Sequence, residues 1–122
     1  MRSLILAFLL SAATLAAADI TGKWRGSFES TNDNGETRKG TAYLDLKQDG
    51  STVTGVAGPN ENEPHQLRNG KFENDKLTFT ILTGDTEMRV ELTLAGNELT
   101  GQATREGASG SRTAKIAVKR EQ

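Results

Sequence analysis

From residue 19 onward the chain alternates apolar and polar positions with a period of two, in short runs separated by Gly, Asn and Asp. The first run sets Ile20, Gly22, Trp24, Gly26 and Phe28 on one face and Thr21, Lys23, Arg25, Ser27 and Glu29 on the other. That is the pattern of a strand with one buried and one wet face. The same inner row recurs in residues 39–47 (Ala42, Leu44, Leu46) and 52–58 (Val53, Gly55, Ala57). It continues in 76–82 (Leu77, Phe79, Ile81) and 87–95 (Met88, Val90, Leu92, Leu94). Residues 98–104 (Leu99, Gly101, Ala103) and 112–120 (Ala114, Ile116, Val118) close the series. Residues 64–72 break the rule, because Leu67 and Phe72 have opposite parity. Burying both requires a one-residue slip, and Asn69-Gly70 is the expected place, since glycine accepts the positive φ that a bulge needs.

The turns repeat as well. Residues 48–55, 73–79 and 95–101 each place Asp-Gly, Asn-Asp or Gly-Asn before an aliphatic-Thr strand start. These residues tolerate left-handed backbone and are hairpin chemistry. About eight strands joined by short hairpins form an antiparallel meander. Pairing of its first and last strands removes the exposed edges, so the expected fold is all-β, a single up-and-down barrel. The polar outer face excludes a membrane barrel, which would present apolar residues to lipid.

Residues 1–18 stand outside that pattern. Arg2, the apolar run 4–10 and Ala16-Ala17-Ala18 before Asp19 have the layout of an export signal. The expected organisation is therefore a signal peptide over 1–18 and a barrel domain over 19–122, located in the periplasm or outside the cell. The apolar run is shorter than the roughly 20 residues of a bilayer span. The chain has no cysteine, so neither a lipoprotein anchor nor a disulfide is expected, and stability rests on the core. Removing Arg2 leaves 14 basic and 16 acidic residues, a formal charge of −2. That balance gives no electrostatic case for nucleic acid or an anionic membrane.

Gly22-Lys23-Trp24 in the first strand of such a meander resembles the Gly-x-Trp signature of the calycins, the group of lipocalins, fatty-acid-binding proteins and avidins. The resemblance implies that Trp24 plugs one barrel end and that a basic residue from the last strand packs across its ring. Counting by twos from Ala114, Ile116 and Val118 puts Arg120 inward and Lys119 outward. Such a cation–π pair is worth roughly 0.5 to 2 kcal/mol. The likeness spans residues 19–122 in architecture and few residues in identity. Avidins line their site with several tryptophans and this chain has one, so biotin binding is not implied. In style the chain is most similar to small exported bacterial barrels with a Thr-Gly-x-Trp start.

Catalytic chemistry finds little support. His65 is the single histidine, with no Cys or second His to complete a metal site, and is expected as a solvated loop residue. Residues 31–36 lack the spaced acidic ligands of a calcium loop. No Gly-x-Ser-x-Gly or phosphate-binding loop is present. No enzyme activity and no cofactor are expected. The inner rows carry more. Gly or Ala at 22, 26, 42, 55, 57, 101, 103 and 114 alternates with bulky residues, which suits either a cavity or a filled, tapering barrel. The expected function is binding of a small apolar or amphipathic ligand by Phe28, Leu44, Leu77, Phe79, Met88, Val90, Leu92 and Ile116. The alternative is a filled barrel that binds a protein partner or acts as an inhibitor through its longest loop, expected over residues 30–38.

Overall fold

The computed structural model describes residues 19–32, 34–107 and 110–121; the expected export signal, residues 1–18, lies outside them. Among the described residues nine strands follow in order: β1 (Gly22–Asn32), β2 (Thr37–Asp49), β3 (Thr52–Gly58), β4 (His65–Gln66), β5 (Arg68–Glu73), β6 (Lys76–Thr83), β7 (Thr86–Ala95), β8 (Glu98–Gly107) and β9 (Gly110–Arg120). All pairings are antiparallel. β1 joins β9 along Arg120↔Trp24 to Arg112↔Asn32, and β2 joins β3 from Asp49↔Thr52 to Tyr43↔Gly58, so the sheet closes on itself. β4 and β5 share one position around the ring, which leaves an eight-position up-and-down barrel.

The irregular strand behaves as its parity requires. Leu67 and Phe72 are both buried, and the β5–β6 register shifts between Arg68 and Lys71. The positive φ falls on Asn69 (56°) rather than on Gly70. Gly70 is needed for a different reason: a Cβ there would come within 2.1 Å of the Val53 carbonyl oxygen. The hairpin at Asn74-Asp75 has φ of 54° and 64° at its two central residues, the pattern that fits right-handed strand twist.

Alternating hairpins divide the barrel into two ends. Residues 50–51, 74–75 and 96–97 turn at one end, together with the segment before β1 and the residue after β9; residues 34–36, 59–64 and 84–85 turn at the other. The first end is solid. Ile20, Trp24, Leu46, Val53, Leu77, Leu99 and Val118 are each at most 2% exposed. Each such side chain contributes roughly 1.5 to 3 kcal/mol by leaving water.

One buried side chain escapes the alternation. Tyr43 has outward parity in β2 yet is 4% exposed. Arg25, its β1 partner, stacks 4.7 Å from its ring centroid and forms ion pairs with Glu61 (3.0 Å) and Glu121 (2.9 Å). Thr41 Oγ1 donates to the Pro59 carbonyl at 2.6 Å, which draws the 59–64 loop onto the outer wall here.

Candidate functional site

At the solid end, Arg120 lies 4.5 Å from the Trp24 ring centroid. Its Nη1 and Nη2 donate to the carbonyls of Thr21 (3.1 Å) and Asp19 (2.9 Å). Trp24 Nε1 donates to the Ile20 carbonyl at 3.0 Å. The segment is also fixed from β2, since Ile20 N–H donates to Gln48 Oε1 (2.9 Å) and Gln48 N–H to Thr21 Oγ1 (3.0 Å). The Asp19 carboxylate accepts the Thr21 N–H at 2.8 Å. That hydrogen bond, with the Thr21 side chain and then the Arg120 charge assisting, holds its pKa below 3.8. Trp24 thus has its polar atom satisfied and its ring covered, with no surface left for a ligand.

The opposite end is hollow. A cavity of about 380 Å³ occupies it, within the size range of small-molecule sites. Seven of the eight expected lining residues border it: Phe28, Leu44, Phe79, Met88, Val90, Leu92 and Ile116. Leu77 does not; it is wholly buried in the packed half of the wall. Phe28, Ala42, Met88, Ala114 and Ile116 all have inward parity and are only half-buried. Inside a closed barrel that is possible only where the interior is open to water.

The small inner residues divide by role. Ala42, Ala57, Ala103 and Ala114 border the cavity and make its space. Gly26, Gly55 and Gly101 do not; a Cβ on Gly26 would strike the Ala117 carbonyl at 1.8 Å, so glycine there serves strand approach. Gly40 lets the Phe28 ring fold across β2, where a Cβ would meet it at 2.6 Å.

Two expectations change. His65 is not a solvated loop residue: it sits in β4 opposite Ala57, half-buried, and borders the cavity. Pairing of its backbone with β3 brings it in. Among the described residues no group of three or more His, Cys, Asp or Glu could hold a metal. Residues 30–38 are not a long loop, because β1 and β2 extend to Asn32 and Thr37. Asn32 Oδ1 accepts the N–H groups of Asn34 (3.0 Å) and Glu36 (2.9 Å), which ties the turn tightly. The longest described loop is instead 59–64.

Beyond the apolar inner rows the strands carry residues that apolar patterning passes over. Ser30 in β1, Arg38 in β2, Arg105 in β8 and Arg112 in β9 continue the inward parity and border the cavity. Arg112 Nη1 donates to Ser30 Oγ at 2.8 Å, and Ser30 is 4% exposed. Continued counting by twos past the last apolar residue of each strand finds all four. An apolar chamber under a basic mouth can desolvate a hydrocarbon body and leave a polar group at the rim.

This architecture is compatible with the calycin-like resemblance of the first strand. No protein-family model matches the chain, and no curated protein matches its sequence. Among the described residues no helix is long and apolar enough to cross a membrane.

Proposed function

We propose that the protein is an exported, calycin-like binder of a small apolar or amphipathic molecule, taken into the open half of the barrel. One observation carries this reading: a cavity of about 380 Å³ walled by Leu44, Phe79, Val90, Leu92 and Ile116. A folding chain gains more from filling such a space with its own side chains, because an apolar void forfeits packing contacts. Four alanines are kept where larger residues would fit, and binding accounts for them. Native mass spectrometry of protein purified from its host should show added mass, and an environment-sensitive dye should bind and be displaced by apolar competitors. Absence of both would remove the reading. Sequencing the amino terminus of the host protein tests export, with a start at Asp19 expected.

A further inference from the structure

We infer that the molecule taken into this cavity is an anionic amphiphile, its apolar body in the chamber and its oxyanion head on Arg112, Arg38 and Arg105. The inference rests on the binding reading above and specifies its ligand class.

The three arginines form an arc across adjacent strands. Arg38 is the register partner of Ser30, and Ser30 holds Arg112. Arg112 in turn lies directly opposite Arg105, with both side chains on the inner face. Like charges opposed on one face of a sheet are destabilising, and among the described residues no carboxylate pairs with either arginine to offset the cost. Among the described residues none of the three forms an ion pair and no Asp or Glu borders the cavity. Two other arginines are treated differently: Arg25 has two carboxylates and a tyrosine ring, and Arg120 has two carbonyls and an indole, while Arg68 and Arg89 lie exposed on the outer face. A protein whose formal charge is −1 therefore turns three arginines without an ion pair among the described residues inward, at the mouth of its apolar cavity. A local rule broken without compensation inside the chain points to a function.

The chemistry selects the head. Guanidinium presents a planar fork of five N–H donors that matches carboxylate, phosphate or sulfate oxygens in pairs. Ser30 takes one donor of Arg112 and fixes its direction; no other hydrogen bond from that side chain is formed among the described residues. The chamber below offers no compensation for a buried charge, so the head stays at the rim. An anion there removes the Arg105–Arg112 repulsion, which a neutral or cationic head cannot do.

The test uses the full protein and calorimetric titration with dodecanoate, dodecyl phosphate, dodecanol and dodecyltrimethylammonium. One or both anions should bind at least tenfold more tightly than dodecanol, and the cation should not bind; the ratio of the two anions identifies the head. Arg112→Gln should weaken the anion about tenfold or more, from the loss of a charged hydrogen bond, and leave dodecanol unchanged. Arg105→Gln should weaken the anion while raising the melting temperature of the free protein, a pairing that a structural arginine would not give. Equal affinity for anion and alcohol, unaltered in both variants, would overturn the head-group inference and leave the binding reading standing. Failure of every amphiphile and of the dye would remove both.

Discussion

Replacing Ala114 with leucine tests whether the upper barrel is hollow through the sign of a stability change. Ala114 lies in β9 between Ser30 of β1 and Ala103 of β8, half-buried and on the cavity wall. Leucine adds three carbons, each worth about 0.8 kcal/mol when fully buried, or about 2.4 kcal/mol in all. Ordering the new side chain costs about 0.5 to 1 kcal/mol, and water at the mouth reduces the burial further. The net expectation is a gain of about 1 kcal/mol. In a domain of this size that is a rise of about 4 to 8 °C in melting temperature. Urea unfolding supplies the free energy, with an unchanged slope confirming that the midpoint shift is one of stability. A solid interior predicts the reverse, a loss of about 1 to 3 kcal/mol from overpacking. Destabilisation with an intact fold would refute the hollow barrel. In the same variant, dye binding should fall as the cavity shrinks.

At the closed end, Trp24→Ala should cost about 3 to 5 kcal/mol in urea unfolding, as for other large buried aromatics; loss of binding at unchanged stability would return Trp24 to the ligand site. At the bulge, Asn69→Ala should cost about 1 to 2 kcal/mol because its φ of 56° is left-handed, whereas Asn69→Gly should be close to neutral; equal effects would show the bulge relaxes. The Asp19 carboxylate is held below 3.8 by its hydrogen bonds from Thr21, with the Arg120 charge assisting. Its contribution is therefore full above that value and lost as pH falls through the folded pKa. Asp19→Asn should flatten the acid limb of the melting curve below about pH 4, and an unchanged limb would contradict this.

Much of the barrel was legible because one face of each strand is apolar and the turns use residues with few alternatives. Residues 52–58 match β3 at both ends, and the slip forced by Leu67 and Phe72 lies where Asn69-Gly70 signalled it. The errors gather at the open end. Strands ending with their last apolar inner residue stop short, and the continuation carries Ser30, Arg38 and Arg105, which face inward as polar residues. Their inward placement reflects a cavity, which a core-based pattern does not anticipate. Residues 30–38 resemble a loop by composition for the same reason, yet most pair as strand because the neighbouring ladder supplies their hydrogen bonds. Tyr43 was hidden differently: its cover is Arg25, brought alongside by the β1–β2 register, with the 59–64 loop drawn over by Thr41.

The central claim is that the ligand enters the barrel, and isotope-filtered NMR on the protein saturated with dodecanoate tests it most directly. Contacts from the acyl chain to the methyl groups of Leu44, Val90 and Ile116, with none to the outward, exposed Leu82, are the predicted result. Contacts to Leu82 without any to the inner methyls would place the molecule on the outer wall and contradict the account.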